Sequence, residues 1–176
     1  ELAKDIAERF NHRYGEVLVV PSLVVPEVGA KIKDLQHPEN KMSTSSGSDS
    51  GRIYILDNEE TIRKKIRTSV TDCGHDILVA PDKEGVSNLI HLIAVAEGVS
   101  TEQVEANFIG SGYGDLKAAA AEAVADMLRP IRELYPEIRG DEDYLEKVFE
   151  FGSDQAKAIA DPTILDVKAA MGLGPV

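Results

Sequence analysis

The sequence predicts a small α/β portion followed by an all-helical portion, with the boundary between about Gly51 and Asn58. Before the boundary lie a short β-branched apolar run at 16–20 and a loop at 37–51 that is rich in serine and glycine. After it, apolar residues recur at helical spacing almost to the end of the chain. This change of period separates the two portions.

The first portion begins with a helical pattern. Apolar residues share one helical face over 1–13, which predicts a helix that stops near Gly15. The run at 16–20 predicts a buried strand. Because the pattern starts in mid-helix, without a methionine and without a capping residue before Glu1, we expect the chain to be a piece of a longer protein.

The second portion carries the start and stop signals of capped, amphipathic helices. Asp57 or Asn58 can cap the first of them, and Ser100 with Gln103 forms a capping box further along. Pro130 lies inside a longer helical pattern, so a kink or break is expected just before it. The predicted helices cover about 57–70, 87–96, 100–108, 115–134, 141–160 and 163–171.

Composition is that of a globular protein with one or two small domains. The chain has 176 residues, of which 43% are apolar. No apolar run reaches the roughly 18 residues that span a membrane, and the N-terminus lacks a signal-peptide pattern. A single cysteine excludes an intrachain disulfide framework, so a reducing, cytoplasmic location is expected. No spacing of histidine and cysteine predicts a metal site.

The net charge of −12 argues against non-specific binding of nucleic acid, DNA included, because such binding depends on basic surface. One local exception lies on the first helix of the second portion, where Arg63, Lys64, Lys65 and Arg67 cluster. Two interpretations of this basic cluster stay open. It is either a solvated helix face or a set of phosphate contacts.

The run 41–45, Lys-Met-Ser-Thr-Ser, is the most informative short motif in the chain. Its lysine supplies charge for a triphosphate, and its hydroxyls supply short donors for phosphate oxygens. The alternative interpretation is a polar linker, which stretches rich in serine and glycine usually are. The position of the run between an extended segment and a helical region favours a functional loop.

The same run resembles the Lys-Met-Ser-Lys-Ser signature of class I aminoacyl-tRNA synthetases. Other segments along essentially the whole chain resemble the C-terminal half of the bacterial tryptophanyl-tRNA synthetases. These segments are 5–11, 62–66 with 70–72, 85–89, 112–114 with Lys117, 128–131 and 170–174.

The resemblance implies an activity, its substrates and a site. That family activates tryptophan with ATP and Mg²⁺, transfers the amino acid to tRNA(Trp), and forms homodimers. Lys41 resembles the cation that meets the departing pyrophosphate, and with the hydroxyl residues of 43–45 it makes up the implied catalytic set. By the same resemblance, the residues that bind ATP are Ile32, Lys41, Met42, Ser43, Thr44 and Ser45.

The family's architecture implies a division into three parts. Residues 1–56 resemble the C-terminal edge of a Rossmann-type nucleotide-binding domain, and 57–141 resemble a helical anticodon-binding domain. Residues 142–176 would be C-terminal helices that return to the nucleotide-binding domain. The apolar residues expected to be buried in this last part are Leu145, Val148 and Phe149.

Two departures from the family pattern affect the expected activity. Thr44 stands where the family has lysine, so a positive charge is missing unless Lys31, Lys33, Arg52 or Mg²⁺ replaces it. The family's first signature and an acidic segment are not found in the sequence, so the chain alone is expected to be inactive. The apolar residues expected to lose their cover are Val17, Val19 and Val20.

Two other functions stay open at this point. A non-catalytic helical module that binds tRNA or protein would share the helical portion, but it has no need of a phosphate-handling loop. A tyrosine-specific class I synthetase would differ mainly in an amino-acid pocket outside this sequence. The preference for tryptophan therefore rests on resemblance alone.

Overall fold

The regular structure of the chain is helical in the computed structural model, which describes residues 1–26, 28–45 and 47–174. This described part holds six α-helices and one short 3-10 turn at Asp49–Gly51. The α-helices are α1 (Leu2–Tyr14), α2 (Glu59–Arg67), α3 (Glu84–Glu97), α4 (Thr101–Asn107), α5 (Tyr113–Gly140) and α6 (Glu142–Ala170). Within the described residues, none of these helices combines the length and apolar composition needed to cross a membrane.

Two compact units make up the chain. Residues 26–136 form one, and residues 1–25 together with 137–176 form the other. The functional division predicted from the sequence, into 1–56, 57–141 and 142–176, stays a prediction. Residues 175 and 176, at the end of its last part, lie outside the described residues.

Helix α3 lies at the centre of the core of the 26–136 unit. Nine of its fourteen residues are buried, and Gly98 ends it in the left-handed conformation, with φ of 68°. Burial of one large apolar side chain stabilises a fold by about 1.5–3 kcal/mol, so this helix contributes much of the unit's stability. The core residues of α3 and its neighbours are Leu35, Ile62, Ile66, Val86, Leu89, Ile90, Leu92, Ile93, Ala94, Val104, Leu116, Ala120, Ala121, Val124, Ala125 and Leu128.

Capping side chains confirm two predicted helix starts. The side-chain oxygen of Asn58 accepts from the amide of Thr61 at 2.8 Å, and Ser100 accepts from the amide of Gln103 at 3.3 Å. Helix α3 instead begins at Glu84, three residues before its predicted start. The polar residues at its predicted start form tertiary hydrogen bonds instead.

The prediction of a buried strand at 16–20 is wrong. The backbone there has no neighbouring strand within the described residues, and the side chain of Asn11 takes up its polar groups. Its Oδ1 accepts from the amides of Val17 and Leu18 at 3.2 and 2.9 Å, and its Nδ2 donates to the carbonyl oxygen of Leu18 at 2.7 Å. Val19 is 93% exposed and Val20 is also exposed, as expected for a segment without cover, while Val17 is half-buried.

The predicted helix ends near Leu134 and residue 160 are also wrong. Helix α5 continues through Pro130 to Gly140, and α6 continues through Pro162 to Ala170. A proline removes one backbone hydrogen bond but leaves those on either side intact. Near Pro130, where α5 lacks one backbone hydrogen bond, Nη2 of Arg132 donates to the carbonyl oxygen of Ala125 at 3.2 Å.

The burial predicted for the last part is wrong at two of three positions. Val148 and Phe149 are exposed, and Leu145 is half-buried. None of the 29 residues of α6 is buried. The amphipathic pattern correctly indicated a helix, but the described residues leave this helix without a buried residue.

Candidate functional site

The predicted ATP site begins with two short extended segments that pair beside the core. Lys33 and Lys41 form an isolated antiparallel bridge. The amide of Met42 donates to the carbonyl oxygen of Ile32 at 2.9 Å, and the two apolar side chains pack against the core. This pairing fixes the backbone at Lys41, whose own side chain is exposed.

Asn88 of α3 holds the first of these segments. Its Oδ1 accepts from the amide of Lys33 at 2.8 Å, and its Nδ2 donates to the carbonyl oxygen of Lys33 at 2.9 Å. Asn88 is itself 3% exposed, so these bonds lie in the interior, where an unpaired amide group is costly. These two bonds attach the segment that contains Lys33 to α3, the helix with the most buried residues in the 26–136 unit.

A buried carboxylate organises the turn between the paired segments. Asp34, which is 4% exposed, accepts from the amides of Gln36 and His37 at 2.8 and 3.0 Å. A side chain at Gly51 would overlap this carboxylate. The carbonyl oxygen of Gly51 accepts from the amide of Leu35 at 2.8 Å, so the loop leaves and rejoins the core at adjacent points.

The hydroxyl groups of the loop lie next to one another. Ser43 Oγ and Ser45 Oγ are 3.2 Å apart, and the amide of Ser45 donates to Ser43 Oγ at 3.3 Å. Thr44 and Ser45 are exposed, and Ser43 is half-buried. These groups are accessible to a ligand that offers several oxygen acceptors.

Arg52 contacts the loop from its C-terminal side. Nη1 donates to the carbonyl oxygens of Ser43 and Thr44 at 3.1 and 2.6 Å. Nη2 donates to the carbonyl oxygen of Gly47 at 2.9 Å, and Nε to that of Ser48 at 3.3 Å. The sequence had indicated this residue only as a spare cation, because side-chain bonds to backbone carbonyls leave no pattern in a sequence.

These segments enclose a cavity of about 350 Å³. Five of the six predicted ATP-binding residues line it, and Ser45, which does not, lies beside Ser43. Four lining residues were not predicted from the sequence: Gly29, Ala30, Ile53 and Tyr54. The lining residues are Gly29, Ala30, Ile32, Lys41, Met42, Ser43, Thr44, Arg52, Ile53 and Tyr54.

A second, larger cavity of about 630 Å³ lies between α2 and α5. Two members of the basic cluster line it, Arg63 and Arg67, together with Lys117 and the ring of Tyr113. Lys117 Nζ donates to the carbonyl oxygen of Ser69 at 2.8 Å, and desolvation lowers the pKa of Lys117. The cavity therefore brings cations, one carboxylate (Glu122), an aromatic residue and small apolar side chains together.

The basic cluster is not one uniform face. Lys65 is 6% exposed, and its Nζ lies 2.8 Å from Asp57 and 3.4 Å from Asp49, so it is a structural residue. Arg63 pairs with Glu122 across the cavity rim at 3.1 Å. Lys64 is exposed, lies outside both cavities, and forms no ion pair within the described residues.

A polar cluster lies beside the second cavity, where Tyr113 contacts the residues before α3. Oδ1 of Asp72 accepts from the amide of Gly74 at 2.6 Å, from the hydroxyl of Tyr113 at 2.8 Å and from Lys83 Nζ at 3.1 Å. Desolvation acts to raise the pKa of Asp72, but these hydrogen bonds more than offset it and lower the pKa. The hydrogen bond with Tyr113 is the largest cause of the raised pKa of Lys83.

Metal ligands do not cluster in the described part of either cavity. Among the described residues, no group of three histidine, cysteine, aspartate or glutamate side chains lies close enough to hold a metal ion. No carboxylate is found among the described residues that line the smaller cavity. Its polar groups are cations and hydroxyls, which suit an anionic ligand.

Comparison with known sequences connects these features to a family. A family profile described as tRNA synthetases class I (W and Y) matches residues 1–129. The chain is 43% identical over 178 aligned positions to the tryptophan–tRNA ligase of Oceanobacillus iheyensis, an alignment that covers 99% of this chain and 53% of that protein. It is 41% identical to the tryptophan–tRNA ligase of Halalkalibacterium halodurans, again over 99% and 53% of the two chains.

Solved structures give the same relationship. The tryptophanyl-tRNA synthetase of Mycoplasma pneumoniae matches with a TM-score of 0.88 at 30% identity, over 97% of this chain and 52% of that one. The enzyme of Campylobacter jejuni, in complex with ADP and tryptophan, matches with a TM-score of 0.60 at 26% identity. The chain thus spans about half the length of the relatives that it matches.

Proposed function

The chain belongs to the class I tRNA synthetases of the tryptophan and tyrosine group, and from this premise we propose that it is the C-terminal part of a tryptophan–tRNA ligase. The complete ligase would activate tryptophan with ATP and transfer it to tRNA(Trp) as a cytoplasmic homodimer. Tryptophan is favoured over tyrosine because the curated relatives that it resembles are tryptophan–tRNA ligases. The class I synthetase fold follows from the structural match, and its Rossmann-type edge at 1–56 remains part of the proposal.

The smaller cavity is the proposed ATP site, and one observation carries this proposal. Lys41, Ser43 and Thr44 line the same cavity as two half-buried apolar residues, Ile32 and Met42. Such a cavity offers charge and donors for phosphates at one side and apolar contact for a base at the other. The pairing of Met42 with Ile32 holds both ends of the site in one rigid piece of backbone.

Lys41 is proposed to act on the leaving group. Attack of the tryptophan carboxylate on the α-phosphorus forms one P–O bond and breaks another, so that pyrophosphate leaves with additional negative charge. A cation beside the departing oxygens stabilises this transition state more than the bound substrate. The hydroxyls of Ser43, Thr44 and Ser45 would donate to other phosphate oxygens.

Mg²⁺ is a cofactor that the family implies, but the described residues include no cluster of carboxylate, histidine or cysteine side chains that could hold it. The described residues that line the smaller cavity include no carboxylate. In this half of the site, the positive charge that the protein itself provides is that of Lys41 and Arg52.

Substitution of Lys41 by alanine in the complete ligase tests the proposal. The rate of pyrophosphate exchange should fall by about 10²–10³-fold, the loss typical of a contact made in the transition state, while the KM for tryptophan changes little. Lys64→Ala is the matched control, since it removes an exposed lysine that lies outside both cavities. An unchanged exchange rate in Lys41→Ala would contradict the proposed site.

The 176-residue chain alone is proposed not to form the adenylate, because it spans only about half of its relatives. Calorimetric titration of the chain with ATP should show no binding in the micromolar range. The complete ligase, titrated in the same buffer, is the reference. Micromolar binding by the chain alone would show that the smaller cavity is a sufficient nucleotide site.

The larger cavity is the proposed RNA contact of the helical part at 57–141. Unstacked RNA bases are bound by aromatic rings and guanidinium planes, and phosphates by cations. Tyr113, Arg67 and Lys117 supply these groups in a chain whose overall charge is −12. This combination favours a nucleotide of a single-stranded RNA loop over an acidic protein surface.

Arg67→Gln in the complete ligase tests this contact. The KM for tRNA(Trp) should rise by about tenfold, the equivalent of roughly 1.4 kcal/mol, and the dependence of binding on salt concentration should become weaker. Lys64→Gln, on the same helix but outside the cavity, should leave the KM nearly unchanged. Equal effects of the two substitutions would show that the cavity contributes only general surface charge to the binding of tRNA.

A further inference from the structure

The backbone at Arg52 is fixed to the core from both sides. Gly51 is buried and bonded to Leu35, and the carboxylate of Asp34 occupies the space that a side chain at Gly51 would need. On the other side, Ile53 packs against the core. The guanidinium of Arg52 itself lies over the ring of Tyr54, 5.7 Å from the ring centroid. Arg52 therefore begins from a rigid base rather than from the loop that it contacts.

From this base the guanidinium reaches back to the loop. Its four hydrogen bonds to described residues end on the backbone carbonyls of Ser43, Thr44, Gly47 and Ser48. A planar group with several fixed N–H donors holds several acceptors in one geometry, which a lysine ammonium does much less well. Arg52 thus closes the loop on itself, and its bonds include the two residues that follow Met42 in the motif.

The charge of Arg52 remains available at the cavity. All four acceptors are neutral carbonyls, and no carboxylate within the described residues lies at ion-pair distance. By contrast, Lys65, which also lies near Tyr54, is paired with two aspartates. Since Arg52 lines the cavity beside Thr44, its positive charge acts on whatever anion binds there.

We propose that Arg52 is the positioning residue of the 41–45 loop, holding its hydroxyls toward the phosphates while its own charge adds to that of Lys41. This inference rests on the proposed function, because it assigns a role in the same ATP site. It differs from a purely structural role in one respect. The geometry of the loop, and not the stability of the fold, is what Arg52 controls.

Two substitutions in the complete ligase separate the parts of this role. Arg52→Gln removes both the charge and most of the donors, and Arg52→Lys keeps the charge but removes the planar fork. In Arg52→Gln, kcat for pyrophosphate exchange should fall by about 10²-fold, the effect of misplaced reacting groups. Arg52→Lys should recover only a minor part of that loss, and the unfolding temperature should stay close to that of the parent.

Limited proteolysis with proteinase K, mapped by mass spectrometry, gives a readout independent of catalysis. Arg52→Gln and Arg52→Lys should both be cleaved about tenfold faster within 43–48 than the parent protein, as expected for a loop released from its contacts. Lys31→Gln is the matched control, because it removes an exposed neighbouring cation that makes no hydrogen bond to the loop within the described residues. Its cleavage pattern should equal that of the parent.

The outcomes distinguish this inference from the proposed function. Unchanged cleavage within 43–48 in both variants would overturn the positioning role, and so would faster cleavage with unchanged exchange kinetics. Full activity of Arg52→Lys would overturn the requirement for the planar fork. If Lys41→Ala left exchange unaffected, the ATP site itself would be wrong, whatever the proteolysis of the Arg52 variants showed.

Discussion

The apolar pattern of the sequence predicts helices in the regions of both α3 and α6, yet the two helices differ in how far their side chains are buried. Nine of the fourteen residues of α3 are buried, whereas none of the 29 residues of α6 is. Leu89 in α3 is fully buried, and Phe149 in α6 is 71% exposed. Hydrophobic periodicity therefore predicts that a helix forms and which face is apolar, but not what that face packs against.

The difference indicates where the chain is self-sufficient. The 26–136 unit has a contiguous core, and both candidate cavities lie within it. The side chain of Asn88 in α3 connects the backbone of Lys33, which leads into the loop, to this core. For α6 the described residues provide no comparable cover, so its apolar side chains contribute little to the stability of the chain alone.

The largest expected effect comes from a matched pair of leucines, one in each helix. Leu89→Ala should lower the free energy of unfolding by about 2–5 kcal/mol, because it leaves a cavity at a fully buried site. Leu165→Ala in α6, where the leucine is 62% exposed, should change it by no more than about 0.5 kcal/mol. Urea unfolding of the two variants measures both values.

Because both substitutions replace leucine by alanine in a helix, the change in helix propensity is similar. The difference between them therefore reports burial. A loss of several kcal/mol in Leu165→Ala would show that α6 is covered in solution, and the contrast between the two helices would no longer hold.

A smaller effect is expected where α3 meets the loop. Asn88→Ala removes two hydrogen bonds to Lys33 and leaves interior backbone groups unpaired, which should cost about 2 kcal/mol. Asn107→Ala, at the exposed end of α4, is the control and should cost much less. Hydrogen exchange of the amides around 33–42 should accelerate in the first variant only.

An Asn88→Ala protein with unchanged exchange at 33–42 would show that the paired segments hold themselves without α3. In that case the order of the loop would come from Asp34 and Arg52 alone. The comparison would then lie between the loop and the core rather than between the two helices.

Local signals in the sequence identified much of this structure, and non-local ones were missed. The caps at Asn58 and Ser100 and the loop at 41–45 depend on residues a few positions apart, and such patterns are visible in a sequence. The contact between Asn88 and Lys33 joins residues 55 positions apart, and the sequence indicates only that Asn88 lies near the start of a helix. Which hydrogen bonds a polar residue makes depends on its tertiary contacts, and a single sequence does not reveal those contacts.

The same distinction explains the errors. The run at 16–20 has the composition of a strand, but a strand needs a neighbour, and the described residues supply none. Lys65 was grouped with a basic surface because of its position in the sequence, and only the approach of Asp49 and Asp57 makes it structural. In the candidate site, the structure brings most of the predicted residues to one cavity, and their role there stays a prediction. The contacts of Arg52 with the loop left no signal in the sequence.

The smallest expected effect concerns pH and the polar cluster that precedes α3. Asp72 has a lowered pKa in the folded protein, so its contribution to stability is present above its unfolded pKa, near 3.9, and is lost as the pH falls through the lower folded value. Lys83 has a raised pKa, so its contribution is present below its unfolded value of about 10.4 and is lost as the pH rises beyond that. Between these limits the cluster should stabilise the fold at a nearly constant level.

Asp72→Asn should lower the free energy of unfolding at neutral pH by about 1 kcal/mol, since a carboxylate that accepts three hydrogen bonds becomes a neutral amide. As the pH falls from about 4 through the lowered pKa of folded Asp72, the variant and the parent should converge, because the parent's carboxylate then becomes protonated. Urea unfolding between pH 3 and 7 measures the convergence. Glu146→Gln, an exposed position on α6 with no ion pair within the described residues, is the control. If Glu146→Gln alters the pH dependence of the free energy of unfolding as much as Asp72→Asn does, general surface charge governs acid stability. The region around α3 would then differ from α6 only in its apolar packing.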